Sequence, residues 1–346
     1  MSESADYDRS PWKGKIDNFD SARAAYRKHA DRSYADVSRV VSDAKGSVEV
    51  GDFVPDHVET DAAVPVVIVS DLTGSMGEWP GVMFSKLPYL DNELQEYYGD
   101  DYAVSFAGVD DVTCCPIPFQ ARKFCKGTDM KKELEAIQHT RLGGGTMEES
   151  YDIPAMYYLM NCEMPNAIQP LMVFIGDEGL YENINPTDAE HWARHKMDKR
   201  MSIKTLFEKL KTRYSVYLIR KPYGSYASND LDPNNRRIRE QWVELLGEDH
   251  VVDLPDPSRV VDVLFGIFAK ETGKVDYFEK ELKDRQLKDK DGKHKVDVVL
   301  KSLKTLHTTP ALGKDPSMKK LPAPGRSVTR RTKGDTSSKA SKSLLD

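Results

Sequence analysis

Short apolar runs alternate with longer amphipathic segments between residues 64 and 271 of the chain. The short runs are rich in β-branched residues, which is typical of strands that are buried on both faces of a parallel sheet. The longer segments carry apolar residues three or four positions apart, a spacing that predicts helices. The alternation predicts an α/β fold in which a mostly parallel central sheet has helices on both faces.

The pattern also places the individual elements along the chain. Core strands are predicted over 64–70, 101–109, 171–175, 214–219 and 250–254, with an edge strand over 112–119. Helices are predicted over 22–41, 80–98, 126–139, 146–160, 188–211, 234–246 and 257–270. Pro88 is expected to kink the helix that contains it, because proline has no amide donor for the helix.

These elements divide the chain into three segments. Residues 1–60 are predicted to be a polar extension with an amphipathic helix, and residues 61–272 to be the α/β domain. Residues 273–346 are predicted to be a charged helix and a basic tail. The tail is expected to be disordered from about residue 308, because its composition turns to Lys, Arg, Ser, Thr, Pro and Gly.

Composition narrows the class of protein. The mean hydropathy is −0.58 and 31% of the residues are charged, and no apolar stretch reaches the roughly 18–20 residues that a membrane helix needs. The acidic, polar start lacks the features of a signal peptide, so a cytoplasmic protein is expected. The four cysteines contain no Cys-x-x-Cys pair, so neither a zinc ribbon nor a thioredoxin-like site is predicted.

Charge is distributed unevenly along the chain. The net charge is −6, yet residues 311–346 carry nine Lys and Arg against three Asp. An acidic body disfavours binding to nucleic acid, so any such binding is expected to be weak and confined to the basic tail.

An oxygen-rich loop follows the first core strand. The strand ends on Asp71, and Thr73 and Ser75 follow at alternate positions around Gly74. In open α/β sheets, ligands bind beyond the carboxyl ends of the strands. Carboxylate and hydroxyl oxygens are hard donors, which suit Mg²⁺, Mn²⁺ or Ca²⁺ rather than zinc.

Two further loops add oxygen donors at the same predicted edge. Thr146 stands after a turn formed by three glycines, at positions 143–145, where a helix is predicted to begin. Asp177 follows the core strand over 171–175. The carboxyl ends of parallel strands meet at one edge of a sheet, so these side chains are expected to lie close to Asp71.

This order of residues resembles the von Willebrand factor A domain family and its metal-ion-dependent adhesion site. That family has Asp-x-Ser-x-Ser in the first loop, a Thr in the second and an Asp in the third. The resemblance covers about residues 62–272 and implies a three-layer, Rossmann-like domain. It further implies a metal site, with Mg²⁺ as the expected ion, whose ligands are Asp71, Thr73, Ser75, Thr146 and Asp177.

The resemblance also implies a function. In the family, the metal keeps one position open for an acidic side chain of a partner protein, so a protein-binding module is expected. Intracellular members of the family often work beside AAA+ ATPases of the MoxR type, which makes such an ATPase an expected partner. Glu178 departs from the family's usual Thr-Asp-Gly and adds negative charge beside Asp177. Two alternatives are open for it: a surface residue, or a modulator that tightens the metal and weakens the attraction for an acidic partner.

Two alternative kinds of site are less well supported by the sequence. A magnesium-dependent phosphatase or phosphotransferase would use Asp71 as its nucleophile, but such enzymes carry a second acid two residues later, where this chain has Thr73. A binding module without enzymatic activity is therefore expected. His191 and His195 are four residues apart, yet no third zinc ligand lies nearby in the sequence, so an ordinary helix face is predicted there.

Overall fold

A computed structural model describes residues 19–43, 48–76, 79–140, 146–223 and 232–306. The acidic start, the glycine turn at 143–145 and the basic tail beyond residue 306 lie outside the described residues. The helices are α1 Phe19–Asp43, α2 Trp79–Ser85, α3 Leu87–Tyr98, α4 Asp129–Glu135, α5 Asp152–Met160, α6 Pro186–His191, α7 Ile203–Leu210, α8 Pro233–Leu246, α9 Val260–Thr272, α10 Val275–Gln286 and α11 Gly292–Ser302. The strands are β1 Val58–Glu59, β2 Val64–Asp71, β3 Tyr102–Val109, β4 Phe119–Ala121, β5 Glu148–Glu149, β6 Cys162–Glu163, β7 Leu171–Gly176, β8 Gly179–Leu180, β9 Asn183–Ile184, β10 Met201–Ser202, β11 Ser215–Arg220 and β12 Val251–Asp253.

A six-stranded sheet with the order β12-β11-β7-β2-β3-β4 lies at the centre of the fold. All neighbouring strands in it are parallel except β4, which pairs antiparallel with β3 at one edge. The predicted α/β fold with a mostly parallel central sheet is therefore confirmed. Strand β2 runs between β3 and β7, so Asp71 leaves the sheet near its middle.

The side chains of β2 alternate between two hydrophobic cores. Val66 and Ile68 belong to the core that also contains residues of α2, α3 and α9. Val67 and Val69 belong to the core formed with α5, α7 and α8. Strand β2 is thus buried on both faces, as its continuous run of β-branched residues predicts.

The N-terminal helix α1 packs against this body. The Tyr26 side chain is buried, and its ring stacks on Phe84 of α2 with the ring centroids 4.6 Å apart. The Tyr26 hydroxyl also lies 2.8 Å from Nε2 of His139. Helix α1 therefore contributes to the main hydrophobic core, whereas the predicted division of the chain into three segments stays a prediction.

Two predicted helices are each divided in the structure. The helix predicted over 80–98 breaks at Lys86, and Pro88 lies in the first turn of α3, where its missing amide donor costs no helical hydrogen bond. The helix predicted over 188–211 is replaced by α6 and α7. Between them Arg194 adopts a positive φ of 54°, and β10 pairs with β9. His195 consequently lies outside a helix, so the two histidines do not share a helix face.

Two other predicted elements begin later than expected. The strand predicted over 112–119 is wrong for most of its length, because β4 begins only at Phe119, after two prolines that cannot donate to a ladder. The helix predicted over 146–160 begins at Asp152. The residues before it form β5, which pairs in parallel with β8.

A carboxyl group is buried where α3 packs against α9 and α10. Glu93 is 4% exposed, and its Oε2 atom has no hydrogen-bond partner among the described residues. Burial raises the pKa of Glu93 to about 7, although the nearby Arg285 acts in the opposite direction. The ionised form of Glu93 is therefore disfavoured by the fold.

This burial predicts a dependence of stability on pH. A raised pKa in the folded state gives stability that is complete below pH 4.5 and is lost as the pH rises through about 7. We expect Glu93→Gln to be more stable than the wild type at pH 8, with the difference shrinking toward pH 4.5, as measured by urea unfolding. Glu96→Gln, at an exposed position of the same helix, is the matched control. An equal effect of both substitutions would contradict the assignment to Glu93.

Candidate functional site

The loop that follows β2 is closed by its own side chains. The backbone amide and the hydroxyl of Thr73 both donate to Oδ1 of Asp71, at 2.8 and 2.7 Å. An Asp followed two residues later by a hydroxyl residue commonly forms such a turn, because the carboxylate replaces a backbone acceptor. The chain then makes a short 3₁₀ turn over Gly74–Met76, which brings Ser75 back toward Thr73.

A continuous series of hydrogen bonds extends from this loop across the edge of the sheet. Ser75 Oγ donates to Oδ1 of Asp177 at 2.9 Å. The ammonium group of Lys221 donates to Oδ2 of Asp177 at 2.8 Å and to the carbonyl oxygen of Ser75 at 2.6 Å. On the other side, the hydroxyl of Tyr151 donates to Oδ2 of Asp71 at 2.9 Å. We call this series the polar chain, and its members are Tyr151, Asp71, Thr73, Ser75, Asp177 and Lys221.

The two hydroxyl groups at the centre of the polar chain face each other. Thr73 Oγ1 and Ser75 Oγ are 2.9 Å apart. A hydroxyl carries one proton, and here Thr73 directs its proton to Asp71 while Ser75 directs its proton to Asp177. When both carboxylates are ionised, no proton remains for the contact between the hydroxyls, so their lone pairs point into the same space. A proton on a carboxyl group or a cation between the oxygens relieves this contact.

Further carboxyl groups surround the polar chain. Together with Asp71 and Asp177 they influence one another electrostatically, and we call this set the acidic cluster: Asp71, Asp110, Asp111, Glu149, Asp177 and Glu178. The ion pair between Asp177 and Lys221 is a positive contribution to it. If all six carboxyl groups were ionised, their negative charge would exceed what a single ammonium group neutralises.

Glu149 has the least satisfied carboxyl group of the cluster. Its side chain is fully buried, and no hydrogen-bond donor of the described residues reaches either oxygen. The neighbouring carboxyl of Glu178 can share a hydrogen bond with it only if one of the two groups holds a proton. The pairing of β5 with β8 brings these two residues together.

Burial first, and neighbouring carboxyl groups second, raise the pKa values of several members of the cluster. Burial, and next the charge of Asp177, raise the pKa of Asp71 well above its usual range. Burial and the same neighbour raise the pKa of Glu178 to about 7. Burial raises the pKa of Asp110 to about 6, against hydrogen bonds that lower it. The fold therefore favours the protonated forms of Asp71, Asp110 and Glu178 relative to the free side chains.

The structure brings four of the five predicted site residues together. Asp71, Thr73, Ser75 and Asp177 are joined by the hydrogen bonds described above. Thr146 is exposed, and its hydroxyl donates to the carbonyl oxygen of Glu148 at 3.0 Å and lies 3.4 Å from Oδ2 of Asp111. The predicted modulator Glu178 lies in the acidic cluster, with its side chain largely buried.

Several residues of the site were missed from the sequence. Lys221 directly follows β11, and Glu149 and Tyr151 lie in a stretch that was predicted to be helical. Asp111 carried a usable signal, because Thr113 follows it by two residues and donates to both of its carboxylate oxygens, at 2.9 and 2.7 Å. The Asp-x-Thr turn that follows β2 thus recurs after β3.

A glycine allows the close approach between Tyr151 and Asp71. A Cβ atom at position 176 would collide with the hydroxyl of Tyr151 and lie 3.3 Å from Oδ2 of Asp71. The ring of Tyr151 is itself enclosed by Phe174 and Trp242. Gly176 therefore keeps the space in which this hydrogen bond forms.

The chain resembles solved structures, but no protein family can be assigned to it by comparison with known proteins. No model of a protein family matches the chain, and no protein with a curated description matches it either. The fold is similar to the pilus adhesin SpaC from Lactobacillus rhamnosus GG, with a TM-score of 0.43, 13% identity, and coverage of 62% of this chain and 32% of that one. It is also similar to a mutant of the PilB minor pilin from Streptococcus sanguinis, with a TM-score of 0.36, 12% identity and coverage of 63% of each chain. The chain thus spans about a third of the length of the SpaC structure.

These results correct the assignment made from the sequence. The assignment to the von Willebrand factor A family, with that family's adhesion site, is wrong as it stands, because no family model matches the chain. The prediction of a metal-binding protein, as drawn from that family resemblance, is not supported either. Within the described ranges, no group of three or more His, Cys, Asp and Glu side chains is arranged to hold a metal ion.

No helix among the described residues is both long enough and apolar enough to cross a membrane.

The bond between Tyr151 and Asp71 leads to a prediction about stability. We expect Tyr151→Phe to lower the free energy of unfolding by about 2 kcal/mol, because a buried carboxylate loses a donor. Tyr157→Phe is the matched control, since that hydroxyl donates 2.9 Å to the neutral carbonyl of Pro55 and its loss should cost only about 1 kcal/mol. Denaturant unfolding at pH 8 measures both. Equal losses of unfolding free energy in the two variants would show that the hydrogen bond from Tyr151 to Asp71 stabilises the fold no more than the bond to the neutral carbonyl of Pro55.

Proposed function

We propose that this chain is a protein-binding module whose polar chain takes up a hard divalent cation, with Mg²⁺ or Mn²⁺ as the expected ion. The observation that carries the proposal is the pair of hydroxyl oxygens of Thr73 and Ser75. Each hydroxyl lies within hydrogen-bond distance of a buried carboxyl oxygen and of the other hydroxyl, so that when both carboxyl groups are ionised the lone pairs of the two hydroxyls face each other. The proposal rests on this arrangement and on the charge of the acidic cluster. It does not depend on assigning the chain to a protein family.

The spacing of the oxygens supports a small cation. Adjacent oxygens around Mg²⁺ in octahedral coordination are about 2.9 Å apart, because the metal–oxygen distance is about 2.0–2.1 Å. The Thr73 and Ser75 hydroxyls have this separation, and so do Ser75 Oγ and Oδ1 of Asp177. Thr73, Ser75 and Asp177 would therefore hold the ion. Asp71 accepts from the hydroxyl of Thr73 on Oδ1 and from Tyr151 on Oδ2, and it would orient Thr73 toward the ion.

The electrostatics of the site support the same ion. Burial, and next the charge of Asp71, raise the pKa of Glu149, whose two carboxyl oxygens have no donor among the described residues. A divalent cation would neutralise part of this charge without a bound proton. Binding of the ion should therefore compete with protonation and weaken as the pH falls.

The proposed ligand of the loaded site is a carboxylate of a partner protein. A bound divalent ion supplies a positive charge and a coordination position that an acidic side chain can fill. Ser75 is exposed, so a partner can approach the polar chain at its centre. Since the chain has a net charge of −6, an acidic partner would be repelled without the ion, and its binding should depend on it.

The proposal also bears on the expected enzymatic activity, architecture and partners of the chain. A nucleophilic role of Asp71 is disfavoured, because Thr73 and Tyr151 occupy both of its oxygens and its side chain is fully buried. We therefore propose a non-enzymatic module with a three-layer, Rossmann-like arrangement. The MoxR-type ATPase loses its basis together with the family assignment, whereas the cytoplasmic location and the weak role of the tail in nucleic-acid binding stay predictions.

Binding of a divalent cation tests the first half of the proposal. We expect Mn²⁺ to bind the wild type in calorimetry, to raise its melting temperature, and to bind more weakly at pH 6 than at pH 8. Ser75→Ala should reduce the affinity at least about tenfold, because one ligand is lost. Asp56→Asn removes an exposed charge whose ion pair is with Arg194 and not with a residue of the polar chain, and it is the control. Unchanged binding in Ser75→Ala would refute a site at this loop.

Recognition of a carboxylate tests the second half. We expect immobilised protein to retain a poly-glutamate peptide in the presence of Mn²⁺ and to release it when EDTA is added. A poly-lysine peptide of the same length is the control, because it cannot supply a carboxylate to the ion. Retention of poly-glutamate that survives EDTA, or that persists in Ser75→Ala, would contradict the proposed mode of recognition.

A further inference from the structure

We infer that Lys221 is a built-in competitor of the divalent cation, whose ammonium group occupies the polar chain until an ion displaces it. The inference rests on the proposed function and assigns a regulatory role to a residue of the same site. It is carried by the contacts of Lys221 with Asp177 and Ser75, two residues of the proposed cation site.

The backbone holds Lys221 at this place. Strand β11 runs parallel to β7, and Arg220 at its end lies beside Gly176. The amide of Lys221 then donates to the carbonyl oxygen of Gly176 at 2.9 Å, which extends the pairing by one step. The Lys221 side chain therefore starts next to Asp177, and it is 3% exposed.

The ammonium group uses the oxygens that a cation would need. It donates to Oδ2 of Asp177 at 2.8 Å and to the carbonyl oxygen of Ser75 at 2.6 Å. The other oxygen of Asp177 accepts from Ser75 Oγ. A divalent ion that binds Ser75 and Asp177 would lie only a few ångströms from the ammonium group, and two positive charges at such a distance repel each other strongly in a buried site.

Lys221 also stabilises the fold when no ion is bound. Without Lys221, the buried carboxylate of Asp177 would lose its ion pair, and an unpaired buried charge is strongly destabilising. With Lys221, the fold is stable before an ion arrives, but the ion has to replace an existing interaction. Lys221 therefore lowers the affinity for the ion, and so sets the concentration at which the site fills.

Neutral replacements of Lys221 provide the main test. We expect Lys221→Met to bind Mn²⁺ at least about tenfold more tightly than the wild type in calorimetry, because the competing charge is gone. Lys221→Gln keeps a donor for the carbonyl oxygen of Ser75 without the charge, and should behave in the same way if Lys221→Met folds poorly. Lys221→Arg retains the charge and should not bind Mn²⁺ more tightly than the wild type.

Stability separates competition from a purely structural role. In EDTA, both neutral variants should melt at a lower temperature than the wild type, and saturating Mn²⁺ should raise their melting temperatures by more than it raises that of the wild type. In the wild type, Mn²⁺ should also increase the rate at which an acylating reagent modifies Lys221, as followed by mass spectrometry. A structural lysine would show neither effect.

The possible outcomes distinguish this inference from the proposed function. If neither the wild type nor the neutral variants bind Mn²⁺, the proposed cation site itself is refuted. If the wild type binds Mn²⁺ but the neutral variants bind it equally or more weakly, the site stands and the competing role of Lys221 is refuted. Tighter binding in both neutral variants, together with increased modification of Lys221 in the wild type, supports both.

Discussion

Burial of negative charge at the carboxyl edge of the sheet is the constraint to which the surrounding structure responds. Asp71 and Asp177 end neighbouring strands in the interior, where an ionised carboxyl group is costly unless donors satisfy it. The turn after β2 supplies the amide and hydroxyl of Thr73, α5 is preceded by Tyr151, and β11 is followed by Lys221. Gly176 leaves room for one of these donors. The identities of residues in four segments are thus explained by one electrostatic problem.

The sequence predicted the fold best where local pattern and tertiary environment agree. Val64 to Val69 has no polar position, and β2 is indeed buried on both faces. Prediction failed where a pairing partner outside the segment decides the conformation. Glu148 and Glu149 look helical in isolation, yet β8 makes them a strand. The break at Lys86 is not visible in the apolar stripe, and only Pro88, which predicts a kink, marks its neighbourhood.

The site was predictable only in part, for a related reason. Hydroxyls two and four residues after a strand-end acid are visible in the sequence, and they do close the loop. Lys221 and Glu149 carry no such local pattern, because their roles arise from strand pairing that brings distant segments together. The recurrence of the Asp-x-Thr turn at Asp111 and Thr113 shows a limit of the motif. The spacing reports a stable turn, and neither a family nor a bound ion follows from it alone.

The backbone position of Lys221 sets the effective concentration at which its ammonium group competes with an ion. A free cation competes at its bulk concentration, whereas a group fixed to the same polypeptide acts at an effective concentration set by its tether, on the order of millimolar or higher. Because the amide of Lys221 is bonded to Gly176 at the edge of the neighbouring strand, that tether is only one side chain long. Dilution of the protein leaves this internal concentration unchanged. The occupancy of the site by an ion would then respond to the ionic composition of the surroundings and not to how much of the protein is present.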